Sequence, residues 1–144
     1  MSAKNYLSQI YILQGRISRL QHLRAQIRED IYSVSSPALD KDIVNTSITG
    51  GTMERLIAKV DSVERDIVSE MRRLVSQREI IRQQIESLQD ERHRMVLYQR
   101  YVACRKWEQI ALDMNYSERN VFVLHGEALK AFETAFADVC SEFQ

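Results

Sequence analysis

Apolar residues recur with the spacing of a coiled-coil helix in two separate segments of this chain. The first segment covers about residues 4–32, and Arg24 interrupts its stripe once. The stripe occupies two heptad positions, with Ile10, Ile17 and Ile31 at one and Leu13, Leu20 and Ile27 at the other. Charged and amide residues lie between them, so we predict a solvated helix that needs a partner for its narrow apolar face.

The second segment, residues 52–89, has the most regular repeat in the chain. One series of apolar residues is spaced seven apart without exception: Met53, Val60, Ile67, Leu74, Ile81 and Leu88. The companion series begins as Leu56 and Val63 and then moves one residue along, to Met71 and Ile85. We predict one helix of about 57 Å with Thr52 as its N-cap, packed along the first segment within one chain or between chains.

Residues 33–51, between the two helices, show no clear period. Serines and Pro37 accumulate at the start of this stretch, and Gly50 and Gly51 end it. Serine competes for backbone hydrogen bonds, proline lacks a backbone N–H, and glycine pairs mark turns. The composition therefore predicts a loop long enough for the chain to reverse direction.

The heptad repeat ends near Asp90, where aromatic residues become frequent, so we divide the chain into an arm (1–89) and a C-terminal domain (90–144). Residues 92–102 can present Leu97 and Tyr101 on one helix face. A further helix is indicated by four apolar residues that share a face: Trp107, Ile110, Ala111 and Met114.

A tight turn follows, because Asn115 tolerates the left-handed conformation and Ser117 is a good N-cap. The next helix turns a set of apolar residues inward: Val121, Leu124, Ala128, Leu129 and Phe132. The small side chain of Ala111 lets two such helices cross closely. The predicted fold is all-α, a long coiled-coil helical arm followed by a helix-turn-helix over about residues 92–132.

These residues resemble region 4 of sigma-70-type RNA polymerase sigma factors. The resemblance rests on Arg100–Val102, Trp107–Ala111, Met114–Ser117, Val121, Leu124, Ala128 and Leu129. Over nearly the full length, the chain resembles the small sigma-like, ArpU-type regulators of phages and prophages of Gram-positive bacteria, although the likeness is specific only over about residues 95–130. It departs at Cys104, where the family usually has glycine, and at Lys106, where it has serine or threonine. Other departures replace the usual arginine, glutamine or lysine: Phe122, Val123 and Glu127.

The resemblance implies a transcription regulator that binds double-stranded DNA and acts with host RNA polymerase. We expect the start of the last helix to face the bases, with Ser117, Glu118, Arg119, Asn120 and Phe122 on or beside that face. We expect Arg105 and Lys106 to face phosphates. A homo-oligomer formed through the arm would suit paired half-sites.

Two other functions stay open at this stage. One is a DNA-packaging protein that resembles a phage terminase small subunit, which also joins a helix-turn-helix to helical oligomerisation elements; rings would favour it. The other is a protein-interaction module that has lost DNA binding, in which Phe122 and Val123 form an exposed apolar patch.

The composition of the chain limits the classes of function that remain. The 20 basic and 20 acidic residues give no net charge, and only a surplus of two positive charges between Arg94 and Lys130 supports nucleic-acid binding. Cys104 and Cys140 lack metal-ligand spacing, and the three histidines are scattered, so we expect no metal and no cofactor. We find no catalytic motif, membrane-spanning run or signal peptide, and we expect a cytoplasmic protein that is not an enzyme.

Overall fold

A computed structural model describes residues 2–35 and 46–143, and every regular element in these ranges is a helix. In chain order they are α1 (Ser2–Leu7), α2 (Gln9–Ser35), α3 (Thr46–Glu86), α4 (Glu91–Leu97), a π-helical turn (Tyr98–Val102), α5 (Trp107–Met114), α6 (Glu118–Ala135) and α7 (Ala137–Ser141). The expected all-α fold, a long helical arm followed by a helix-turn-helix, is confirmed.

The contacts divide the chain into two compact units. The arm unit is Gln14–Arg73, and the terminal unit is Met1–Leu13 together with Leu74–Gln144. The expected boundary at residue 90 thus differs from the boundary that the contacts show, because the terminal unit also includes the first residues of the chain and the last third of α3.

In the arm unit, α2 and α3 pack antiparallel within one chain through a narrow apolar seam. The seam consists of buried Ile27, Val63 and Ile67 and of half-buried Leu20, Ile31, Leu56 and Val60. Arg28 donates from Nη2 to Glu64 Oε1 at 2.7 Å, and Arg16, earlier on α2, lines a groove with Glu70, later on α3. The predicted packing of the two segments is therefore confirmed, as a pairing within one chain.

Several predicted helix ends are wrong. The first segment is two helices, because the chain turns at Ser8 between α1 and α2. Both ends of the loop predicted over residues 33–51 are wrong: α2 continues to Ser35, and α3 begins at Thr46 instead of being capped by Thr52. Gly51 therefore lies inside α3, where a glycine costs only about 1 kcal/mol. Residues 36–45 lie outside the described residues.

The predicted stripe of α3 is correct except at Met71. Met71 is 42% exposed, whereas its neighbour Glu70 is half-buried. Ile85 is fully buried as expected, but Gln84 beside it is half-buried too, and its Oε1 accepts a hydrogen bond from the Tyr6 hydroxyl at 2.7 Å. A polar residue with a partner can occupy a buried face, so the stripe does not move fully to the next register.

The terminal unit is built around α6, which α4, α5, α1 and α7 all contact. Phe132 of α6 is fully buried, and its ring stacks on Tyr6 with centroids 5.9 Å apart. Phe143 meets the Tyr6 ring edge-on at 5.3 Å, and Asn5 Nδ2 donates to the Phe143 carbonyl oxygen at 3.1 Å. The C-terminal tail, which is acidic because of Glu133, Asp138 and Glu142, thus packs on this unit, where α7 buries Cys140.

Candidate nucleic-acid interface

The connection into α5 turns at Cys104, whose backbone is left-handed with a φ of 54°. In this conformation the Cβ of an L-residue crowds the next carbonyl oxygen, which is why glycine is favoured there. Lys106 then donates its backbone N–H to Gln109 Oε1 at 3.3 Å, which supplies one half of a capping box. The departure from the sigma-like pattern at Cys104 therefore falls at a residue whose backbone conformation favours glycine.

The turn between α5 and α6 follows the sequence prediction. Asn115 is left-handed, with a φ of 57°, and the Tyr116 N–H donates to the Ala111 carbonyl oxygen at 3.0 Å. Ser117 is the N-cap of α6, and its hydroxyl oxygen accepts from the Asn120 N–H at 3.1 Å. A three-residue turn with both ends satisfied fixes the angle between the two helices.

Small and branched side chains form the contact between α5 and α6. Ile110 and Val121 are fully buried, and Ala111 is only 6% exposed. Leu124 and Ala128 continue the buried face of α6. The predicted inward positions of both helices are therefore confirmed, and the opposite face of α6 is left to solvent.

The residues predicted to face DNA are exposed and form two groups. Ser117, Glu118, Arg119, Asn120 and Phe122 lie together at the start of α6, and Arg105 and Lys106 lie before α5. The side chain of Arg105 forms an ion pair with Asp113, so part of its charge is compensated within the module. Phe122 is 49% exposed and rests edge-on against the Trp107 ring at 5.1 Å.

Arg100 has a role at this site that the sequence reasoning missed. Its guanidinium carbon lies 4.3 Å from the centre of the Trp107 ring and 5.3 Å from that of Tyr11, a cation–π arrangement with both rings. Its Nη1 also donates to the Arg105 carbonyl oxygen at 3.1 Å, and the Tyr11 hydroxyl donates to the Arg100 carbonyl oxygen. The contacts of Arg100 therefore link the start of α2 to the connection into α5.

His125 lies beneath the same surface and is 8% exposed. Its Nε2 is 2.8 Å from the Tyr101 hydroxyl oxygen, and its ring lies edge-on to Trp107 at 4.8 Å. Burial, with a smaller effect of Lys4 and Arg100, lowers the pKa of His125 to about 4. Burial also raises the pKa of Tyr101 to about 12. The pair is therefore neutral at pH 7 and forms part of the core.

Two further features of the described residues bear on the type of site. Within residues 2–35 and 46–143, no group of three or more histidine, cysteine or carboxylate side chains is placed to hold a metal ion. No helix in the described part of the chain is long and apolar enough to cross a membrane.

The fold and this surface define an all-α protein with an antiparallel helical arm and a helix-turn-helix. Residues 33–133 match a family model described as a protein of unknown function, DUF1492. Because the match covers more than half of the chain, the protein belongs to the DUF1492 family. No curated protein and no solved structure matches the chain. The matched residues include α3 and the helix-turn-helix but neither α1 nor α7.

Proposed function

We propose that the protein is a DNA-binding transcription regulator of the sigma-like, ArpU type, which reads double-stranded DNA with α6 and acts with host RNA polymerase without catalysing a reaction. The observation that carries the proposal is the capped turn from Asn115 to Ser117, which is followed by an 18-residue helix with one buried and one exposed face. This is the arrangement by which a helix-turn-helix presents its second helix to the major groove.

Arg119 is the base-reading residue in this proposal. It is exposed and is the first cation in α6, and a turn of 100° per residue directs it away from the buried stripe. An arginine at the start of a recognition helix can bind guanine through two hydrogen bonds. Lys106, exposed at the start of α5, is the phosphate contact, whereas Arg105 shares its charge with Asp113.

The charge of the module sets how tightly it can bind. The surplus of two positive charges between Arg94 and Lys130 is small, and Glu118 adjoins Arg119. Because phosphate contacts supply most of the affinity for DNA, a single module of this kind binds weakly at physiological salt. A dimer, which presents two modules, raises the effective affinity.

A protein-interaction module that has lost DNA binding is the second candidate. It is favoured by the exposed apolar side chains of Phe122 and Val123, 49% and 56% exposed, at the positions where sigma-like proteins usually have polar or basic residues. Such a surface would bind an apolar partner, and its affinity would depend little on salt.

Two binding titrations with the protein test the proposal. One uses a pool of random-sequence DNA duplexes, and the other uses the duplexes that the protein enriches from that pool. Arg119→Ala should reduce discrimination between enriched and random DNA by about 1–3 kcal/mol, because a base contact is lost. Lys106→Ala should weaken binding to all sequences alike and reduce the salt slope by about one phosphate contact. Arg72→Ala, which removes one exposed positive charge from the arm unit, is the matched control.

Two results would contradict the proposal. One is a wild-type protein whose affinity for any duplex does not depend on salt, which would favour the interaction module. The other is an Arg119→Ala variant, folded by circular dichroism, that selects the same DNA as the wild type with the same affinity.

A further inference from the structure

The helix α3 carries a second apolar stripe outside its seam with α2. Val68, Met71 and Val75 are 47%, 42% and 64% exposed. Their i, i+3, i+7 spacing places them on one side of a single uninterrupted helix, about 90° around it from the seam. Apolar residues scattered singly on a surface need no explanation, but a row at helical spacing is typical of a helix that packs against another helix.

Charged residues continue this row at both ends. The complete stripe, with alternating steps of three and four residues, is Asp61, Glu64, Val68, Met71, Val75, Arg78 and Arg82. Its N-terminal end is acidic, its centre is apolar, and its C-terminal end is basic. If a second copy of the stripe is related to the first by a two-fold axis near Met71, the acidic end of each copy faces the basic end of the other. The two apolar centres then face each other.

The charged ends keep groups that a second copy can use. Glu64 bonds to Arg28 and Arg82 bonds to Glu79, yet the side chains of Glu64 and Arg82 remain 42% and 40% exposed. Each can therefore accept or donate a further hydrogen bond across an interface.

We propose that α3 is the interface between two copies of this chain, which pack antiparallel with a two-fold axis near Met71. A two-fold interface must be self-complementary, and this stripe is complementary to its own reversed copy. A parallel pair would place acid against acid and base against base, which is unfavourable. The proposal rests on α3 alone and is independent of whether the protein binds DNA.

Sedimentation equilibrium of the full chain tests the proposal. The wild type should have the mass of two chains at micromolar concentration, and Met71→Asp should have the mass of one because it places a charge at the axis. Asp61→Arg and Arg82→Glu should each weaken the homodimer by about tenfold or more, since the contact between residues 61 and 82, which occurs twice per dimer, then joins like charges. An equimolar mixture of these two variants should restore a heterodimer of wild-type strength.

Arg65→Glu is the control, because Arg65 is exposed on the face of α3 opposite to the seam and outside the stripe. It changes the charge as much as Arg82→Glu does and should leave the dimer intact. Circular dichroism shows whether each variant keeps its helices. A wild type that is monomeric at all concentrations overturns the proposal and would mean that the stripe binds a different partner. A mixture of the two charge variants that fails to restore the dimer overturns the antiparallel arrangement.

Discussion

The arm unit and the terminal unit are stabilised by cores of different depth. In the arm unit the core is a single seam between two helices, centred on the buried aliphatic residues Ile27, Val63 and Ile67. In the terminal unit, rings from distant parts of the chain meet around α6, and Phe132 is enclosed completely. A seam of this kind specifies only that two helices pair, whereas a core enclosed on all sides also fixes the positions of the side chains around it.

The largest expected effect is a difference in how far an alanine substitution destabilises each of the two cores. Phe132→Ala should lower the free energy of unfolding of the terminal unit by about 3–5 kcal/mol, because the fully enclosed cavity cannot collapse. Ile67→Ala should cost the arm unit about 2 kcal/mol, because solvent borders its seam. Urea titrations that follow Trp107 fluorescence for the terminal unit and circular dichroism for all helices separate the two effects.

An Ile67→Ala variant whose Trp107 fluorescence transition moves as far as that of Phe132→Ala would contradict the expected difference between the two cores. That result would mean that the two units unfold as one. Ile80→Ala, at an exposed position of the same helix and outside the apolar stripe, is the control for a change in helix propensity alone.

The pH dependence of stability should differ between the units because His125 lies in only one of them. Its pKa is about 4 in the folded chain and about 6.5 when unfolded, so protonation favours unfolding. Its contribution is complete above pH 6.5 and is lost as pH falls toward 4, in total about 3 kcal/mol at roughly 1.4 kcal/mol per pKa unit.

His125→Gln keeps a hydrogen-bonding group for Tyr101 but has no proton to gain. The Trp107 fluorescence transition of this variant should therefore depend less on pH between 6.5 and 4 than that of the wild type. His22→Gln, an exposed position in the arm unit, should change nothing. Equal pH dependence in wild type and His125→Gln would mean that His125 is not the group that titrates.

The smallest expected effect concerns the turn before α5. Cys104→Gly and Cys104→Ala both remove the thiol, but only glycine relieves the left-handed backbone at a φ of 54°. The glycine variant should be about 1 kcal/mol more stable than the alanine variant in urea titrations of the terminal unit. If the alanine variant is equally stable, the turn stores no strain at this position.

Periodicity and turn chemistry predicted most of the fold. The seam residues, the left-handed Asn115 and the Ser117 cap are local signals, and each is confirmed. Helix ends were harder to predict, because serine and glycine near Ser35 and Gly51 weaken a helix without ending it. The stripe at Met71 was wrong because the period alone does not decide which of two neighbouring residues faces the seam.

The candidate site could be predicted only where its parts are close in sequence. The exposed residues at the start of α6 follow from the inward positions of Val121 and Leu124. The contact of Arg100 with Tyr11 joins residues 89 apart, and no local pattern indicates it. The spacing of Ala3, Tyr6, Leu7 and Ile10, which all become buried, is the signal by which the packing of α1 could have been found.

The contact between α1 and the tail also affects the order in which this protein folds. Asn5 bonds to Phe143 across 138 residues, and Tyr6 lies between Phe132 and Phe143. Contacts this distant in sequence form slowly, because the intervening chain must first be brought together. During synthesis, α1 emerges from the ribosome before α6 and α7, so its apolar face is fully covered only after those two helices have been made. A nascent chain therefore exposes part of this face until α6 and α7 have been synthesised, and apolar surface exposed in this way promotes aggregation.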